Sequence, residues 1–200
     1  MSVTMSNTAC PPTLELEGAR LRPLRAADAV ALYDYLRDPE VTERTSFPVP
    51  SLAMAEAMVA RASSRWSAGE LGKWALVLGS GDQLIGTCGF NDSSQVHRQA
   101  ELGFDLARPH WGRGLMRHAV AAVLDWAFAH DRIDRAQAFV RVDNTRSERL
   151  LVHAGFKREG RLRSFRVCRG QPHDFHVYGL LRSEWGTAPP AAPSVGRDAG

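Results

Sequence analysis

One stretch, from Glu101 to His130, constrains the fold of this chain more than any other. Its first part alternates the apolar residues Leu102, Phe104 and Leu106 with charged or small ones, which is the period of a half-buried β-strand. A turn with two glycines follows, and the apolar residues after the turn recur at helical spacing up to Phe128. The stretch therefore predicts a strand that leads through a short turn into a long helix.

The turn between this strand and this helix has the character of an anion site. Gly112 and Gly114 lack the Cβ atoms that would block a close approach of the backbone, and Arg113 lies between them. The first N–H groups of a helix have no partners within the helix, and the helix dipole adds positive charge there. The alternative is a turn that needs glycine only for its backbone angles. Both interpretations stay open on these residues alone.

Two common phosphate motifs are excluded at this turn. A dinucleotide-binding fingerprint would have its third glycine at position 117, which is Arg117. A Walker A loop would continue with Lys and then Ser or Thr, but Leu115 and Met116 follow the second glycine. An anion bound here would therefore belong to some other cofactor.

The composition bounds the class of protein. The 200 residues, 44% hydrophobic and 24% charged, suit one globular domain, and no apolar run is long enough for a transmembrane helix. The formal net charge of +3 is too small to indicate a nucleic-acid partner, and no secretory signal is evident. Three scattered cysteines without a CxxC pair argue against a disulfide framework or a zinc site. We expect a cytoplasmic protein with no membrane, metal or nucleic-acid function.

The order of predicted elements is β-α-α-β-β-β-α-β-α-β-β, which indicates an α/β domain with one mixed sheet and helices on both faces. We expect a disordered leader over residues 1–13, the domain over 14–185 and a disordered tail over 186–200. The first strand is predicted near Arg20–Pro23, and Asp28 is expected to cap the helix after it. Thr145 and Glu148 have the spacing of a capping box at the start of a later helix.

The segment from Ala100 to Trp185 resembles the GCN5-related N-acetyltransferases, and within them the RimJ and RimL branch of ribosomal-protein N-terminal acetyltransferases. The matching pieces are AELGFDL, HWGRGLM, VDNTRSERLLVHAGFKREGRLR and RGQPHDFHVYGLLRSEW, and ARLRPLRAADA near the front supports them. The resemblance implies a mostly antiparallel seven-stranded sheet splayed into a V, with acetyl-CoA as co-substrate. One departure is Pro109, which stands where the family often has Gln or Arg.

The resemblance also implies a set of residues that bind acetyl-CoA. The strand that carries Phe104 and Leu106 would pair with the pantetheine arm, and Asn144 would hydrogen-bond it. The turn would hold the pyrophosphate, and its residues are Trp111, Gly112, Arg113, Gly114, Leu115 and Met116.

Acetyl transfer to an amine requires a neutral amine, a polarised thioester oxygen and a proton for the leaving thiolate. By resemblance, Ser147 supplies that proton and also borders the pantetheine site. The alternative for both Asn144 and Ser147 is a structural role at the start of a helix. Two carboxylates compete as the base, Glu159 by resemblance and Glu101 on the strand beside the thioester, where it could act through water. Surface ion pairs are the alternative for both.

The acceptor is less defined than the cofactor. We expect its pocket between the two N-terminal helices, the loop at Thr42–Pro50 and the last hairpin, with Glu43, Arg44 and Phe47 as candidate lining residues. The favoured function is transfer of an acetyl group to a primary amine, with a protein N-terminal α-amine as one candidate, by direct attack in a ternary complex. The alternatives are acetylation of an antibiotic or metabolite amine, and a non-catalytic acyl-CoA sensor. A homodimer is a hypothesis from the family alone.

Overall fold

A computed structural model describes residues 10–79, 81–130 and 132–186 of the chain. The predicted leader, residues 1–13, is described only from residue 10 onward, and the predicted tail, residues 186–200, only at residue 186, so most of both lies outside the described residues. The strands are β1 Leu14–Leu16, β2 Ala19–Pro23, β3 Lys73–Leu78, β4 Leu84–Ser94, β5 Gln99–Leu106, β6 Arg135–Arg141, β7 Lys157–Cys168 and β8 Gln171–Leu181. The helices are α1 Asp28–Leu36, α2 Pro39–Thr42, α3 Leu52–Ser67, α4 Leu115–Ala129 and α5 Thr145–His153.

The strands form one sheet in the order β1-β2-β3-β4-β5-β6-β8-β7. Every neighbouring pair is antiparallel except β5 and β6, which run parallel. Over the described residues the sheet therefore has eight strands where seven were expected, because the three residues of β1 fold back and pair with β2. The strand-turn-helix prediction for residues 101–130 is confirmed, with β5 leading into α4.

The parallel pair of β5 and β6 opens into a V. Its ladder begins at Gln99 opposite Arg135 and, in the described part of the chain, ends at Glu101 opposite Gln137. Beyond that point β5 stays paired with β4 up to Leu106, while β6 stays paired with β8. The two strands therefore diverge, and the splayed sheet that the resemblance implied is confirmed.

Helices cover both faces of this sheet, as predicted. On one face α4 contributes Ala119, Val120 and Val123, which are fully buried, to the larger apolar cluster. On the other face α1 and α3 contribute Leu36 and Ala55, also fully buried, to a second cluster. The apolar stripe of each helix thus lies against the sheet, which holds the diverging ends of β5 and β6 in place.

Three tryptophans and one cysteine lie in the core. Trp66, Trp74 and Trp126 contact each other edge to face, with centroid separations of 4.7–5.7 Å. Burial raises the pKa of the Cys88 thiol to about 12, so this cysteine stays protonated and packs as a small apolar residue.

The start of α1 corrects the expected cap. Asp28 lies inside the helix, and its carboxylate accepts hydrogen bonds from the Arg22 guanidinium, at 2.8 Å for each oxygen, and from the Arg25 N–H at 2.7 Å. Both side chains of the Arg22–Asp28 pair are buried. The ion pair with Asp28 raises the pKa of Arg22 further, despite burial. The aspartate therefore joins α1 to β2.

We expect Asp28→Asn to lower the free energy of unfolding by about 2 kcal/mol. Among the described residues, the substitution leaves the buried Arg22 with only the half-exposed Asp82 as a charged partner. Asp34→Asn in the same helix is the matched control. Its pair with Arg37 is exposed on both sides, so its loss should change the free energy by less than about 0.5 kcal/mol. Urea unfolding of both variants measures the difference, and equal effects would contradict the account.

None of the helices in the described part of the chain combines the length and the apolar character that a bilayer crossing demands.

Candidate active site

The turn before α4 has a backbone that only glycine adopts with ease. Gly112 and Gly114 both have φ of +74°, in the left-handed region. A Cβ added at either position would meet no atom within 4 Å. The glycines are therefore required by the backbone angles and not by crowding within the protein.

The N–H groups at the start of α4 point out of the helix without partners in it. The first hydrogen bond of the helix is donated by His118 N–H to the Gly114 carbonyl, at 3.2 Å. The exposed Arg113 adds a positive charge, and its Nη1 lies 3.3 Å from His110 Nδ1. Burial, together with the charge of Arg113, lowers the pKa of His110. The turn thus combines free main-chain donors with positive charge, which suits an anion.

Trp111 fixes this turn to its surroundings. Its Nε1–H donates to the Leu106 carbonyl at 2.8 Å, at the end of β5. The guanidinium of Arg146, in the first turn of α5, lies 3.7 Å from the centroid of the indole ring. The tryptophan therefore holds the turn against both arms of the V.

A cleft of about 110 Å³ lies between the diverging strands. It brings together four of the predicted site residues: Glu101, Phe104, Asn144 and Ser147. Glu101 and Phe104 come from β5, and the other two come from the segment that follows β6. Residues 102–106 have no partner strand on the β6 side in the described part of the chain, so main-chain groups face this cleft.

The cap of α5 is Asn144 and not Thr145, which corrects the predicted capping box. The Asn144 side-chain oxygen accepts from Ser147 N–H at 3.2 Å, and its amide donates to the Arg44 carbonyl at 3.1 Å. In the part of the chain that the structure describes, the Ser147 hydroxyl has no hydrogen-bond partner. The helix is thus capped without the hydroxyl group of Ser147.

Glu148, the expected partner in that capping box, instead contacts β8. It lies 2.5 Å from His176 Nδ1 and accepts from the Tyr178 hydroxyl at 2.9 Å. Burial by itself would raise the pKa of Glu148, but these hydrogen bonds outweigh it and lower the pKa. Burial and the same carboxylate raise the pKa of Tyr178 to about 12. Glu148 therefore anchors α5 to the sheet.

Glu101 is held from two sides at the inner end of the cleft. It accepts from Asn91 Nδ2 at 3.0 Å and from Arg166 Nη2 at 3.1 and 3.2 Å. Arg166 in turn lies over the aromatic rings of Phe139, Phe165 and Phe175. These contacts fix the carboxylate within reach of the cleft, with 15% of its side chain exposed.

Glu159, the other candidate base, is placed elsewhere. It forms a two-point ion pair with Arg135, at 2.8 and 2.5 Å, and this pairing lowers the pKa of Glu159. Arg135 lies opposite Gln99, where β5 and β6 are still joined. Glu159 is not among the described residues that line the cleft. The structure therefore does not bring it together with Glu101 and Ser147.

A larger cavity of about 680 Å³ adjoins the cleft, between α1, α3, the loop after α2 and the sheet. The residues that line both spaces are Ser46, Phe47, Lys73, Asn91, Glu101 and Arg166. Of the three loop residues predicted for the acceptor pocket, Phe47 lines both spaces and Arg44 lines the cleft. Glu43 contributes its carbonyl to Arg141 instead. Asn91, Arg166 and Lys73 belong to no motif, so no local pattern predicted them.

The fold agrees with the comparisons to known proteins. Residues 19–157 match the family model described as an acetyltransferase (GNAT) domain. The chain is 34% identical over 174 residues to an uncharacterized N-acetyltransferase, p20, of Bacillus licheniformis, which covers 86% of this chain and 98% of that protein. It therefore belongs to the GNAT family of acetyltransferases, and it is an N-acetyltransferase.

The relatives include ribosomal-protein acetyltransferases, as the resemblance implied. The ribosomal-protein-serine acetyltransferase of Escherichia coli is 29% identical over 100 residues, which are 50% of this chain and 56% of that protein. The structure of RimL, a ribosomal L7/L12 α-N-protein acetyltransferase, superposes with a TM-score of 0.77 at 18% identity and covers 85% of this chain and 94% of that one. The second likeness concerns the fold alone.

Proposed function

We propose that this protein transfers an acetyl group from acetyl-CoA to a primary amine, by direct attack of the amine within a ternary complex. The observation that carries the proposal is the cleft between β5 and β6, which gathers Glu101, Asn144 and Ser147 beside a larger cavity. One opening can therefore receive the acetyl donor, and the adjoining cavity can receive the amine.

The residues present fit acetyl-CoA. The turn at Gly112–Gly114 offers main-chain N–H groups and Arg113 to a diphosphate. The unpaired side of β5, with Phe104 and Leu106, offers main-chain partners to an extended amide-containing arm. Asn144 lines the same cleft. Acetyl-CoA supplies an acetyl group activated as a thioester.

In the proposed reaction the amine nitrogen forms a bond to the acetyl carbon, and the bond from that carbon to sulfur breaks. The products are the acetylated amine and CoA. Glu101 accepts the proton that the amine loses, directly or through water, and the Ser147 hydroxyl donates a proton to the leaving sulfur. Glu101 gains one proton and Ser147 loses one, so the transfer of a proton from Glu101 to Ser147 through water restores both residues.

Glu101 is the better candidate base because of its place at the junction of the two spaces. A base that acts through water suffices for an α-amine, whose deprotonation costs only about 1–1.4 kcal/mol at pH 7, against roughly 4.6 kcal/mol for a lysine side chain. This argument favours an α-amine as the acceptor.

Turnover tests the proposal against a non-catalytic acyl-CoA sensor. We expect CoA thiol to be released when the protein, acetyl-CoA and a panel of peptides and small amines are incubated together. Binding of acetyl-CoA without release of CoA for any amine would favour the sensor. No binding would contradict the proposal at its first step.

Replacing Ser147 with alanine should lower kcat for acetylation about thirtyfold and leave the Kd for acetyl-CoA within about threefold. The loss is below the usual range for a general acid because water can replace the hydroxyl. Thr145→Ala is the matched control, since Thr145 is an exposed neighbour in the same turn of α5. Steady-state kinetics measures both, and equal losses in the two variants would indicate that Ser147 acts only through the structure of α5.

A further inference from the structure

The cavity beside the cleft has more cationic than anionic side chains in its wall. The charged residues that line it are Arg61, Arg65, Lys73, Asp92, Glu101 and Arg166. Three of the four cations are paired. Arg65 binds Glu70 and Asp92 at 3.1 and 3.2 Å. Lys73 lies 3.4 Å from Asp105, and Arg166 pairs with Glu101.

Arg61 is the fourth cation in the wall of the cavity. Its Nη2 lies 3.4 Å from the Asn91 carbonyl oxygen, at the limit of a hydrogen bond. Within the described segments of the chain, no carboxylate lies at ion-pair distance from it. A guanidinium has five N–H donors, so most of those of Arg61 are available to a ligand in the cavity.

Asn91 connects this cation to the proposed base. Its carbonyl faces Arg61, while its side-chain amide donates to Glu101 at 3.0 Å. A guanidinium and a carboxylate thus lie on two sides of one residue. The wall around them is largely apolar, with Leu32, Phe47, Met54, Met58 and Phe90. The cavity therefore presents a cation and an anion that both contact Asn91, beside a surface for an apolar group.

We propose that the acceptor is a small zwitterion, a hydrophobic amino acid or dipeptide with a free α-amine and a free carboxylate. The amine meets Glu101, the carboxylate meets Arg61, and the apolar side chain packs on the methionines and phenylalanines of the wall. This inference rests on the proposed function and specifies its substrate. A polyamine fits poorly, because Arg61 and Lys73 repel additional positive charge.

The test compares acceptors that differ only in the carboxylate: leucine with leucinamide, leucylglycine with leucylglycinamide, and spermidine as a polycation. Rates are divided by the concentration of unprotonated amine, because amidation lowers the pKa of the amine. We expect kcat/KM to be at least about tenfold higher for the acids, as a charge-assisted hydrogen bond provides. Comparison of leucine with leucylglycine shows whether the acceptor is an amino acid or a dipeptide.

Arg61→Gln should lower kcat/KM about tenfold for the acids and change kcat/KM for the amides by less than about twofold. Arg37→Gln is the control, because Arg37 is an exposed helical arginine that pairs with Asp34 and is not among the described residues lining the cavity. Equal effects of Arg61→Gln on acids and amides would overturn the inference, as would a preference for spermidine. Binding of acetyl-CoA without acetylation of any of these amines would also overturn it, whereas loss of acetyl-CoA binding would instead contradict the proposed function.

Discussion

Glu101→Gln is expected to lower kcat/KM for acetylation about a thousandfold, while the Kd for acetyl-CoA changes less than threefold. The glutamine keeps the shape of the side chain and can still bind Asn91 and Arg166, but it cannot accept a proton from the amine. The measurement is steady-state release of CoA thiol, with calorimetry for the binding step. Thermal unfolding of the variant checks that the contact with Arg166 has not been needed for folding.

Glu159→Gln is the matched control for that experiment and represents the competing hypothesis. Glu159 pairs with Arg135 on the surface, and loss of this ion pair should alter kcat/KM less than threefold. The opposite pattern, with activity lost in Glu159→Gln and kept in Glu101→Gln, would assign the base to Glu159 and contradict the role proposed for Glu101.

Gly112→Asp should weaken acetyl-CoA binding about a hundredfold. A carboxylate at the turn would oppose the diphosphate, and like charges a few ångströms apart cost roughly 3 kcal/mol at an effective dielectric constant of 20. The added side chain meets no atom of the protein within 4 Å, so crowding does not obscure the effect. Titration calorimetry measures the change in Kd.

The control for this variant is Gly112→Asn, which has the same shape without the charge. Asparagine tolerates the left-handed backbone that position 112 requires, at φ of +74°. It should bind acetyl-CoA at least about tenfold more tightly than the aspartate variant. If the two variants bind equally weakly, the glycine serves the backbone alone, and the anion site is in doubt.

Local patterns in the sequence predicted the fold well where each element carries its own period. The alternation that begins at Glu101 predicted β5, which ends at Leu106, and the helical spacing up to Phe128 predicted α4, Leu115–Ala129. The strand β1 was missed because three residues are too few to show a period, and it exists by pairing with β2.

The site could be predicted less completely, because its arrangement depends on contacts between distant segments. The ladder between β5 and β6 ends at Glu101, and this end point decides which carboxylate faces the cleft. No local pattern in the sequence marks that point. The pairing of Glu101 with Arg166 joins residues 65 positions apart. Glu148 likewise contacts His176 and Tyr178 on β8, so the prediction of a capping box from its spacing to Thr145 was wrong.

The most direct test of the account is a calorimetric titration of the protein with acetyl-CoA, with NADH and ATP titrated in parallel. The turn and the cleft together predict one site for acetyl-CoA with a Kd in the micromolar range, and at least about tenfold weaker binding of NADH and ATP, which lack the pantetheine arm. No heat of binding with acetyl-CoA, from a sample whose thermal unfolding is cooperative, would contradict the account and leave the two glycines with a structural role only.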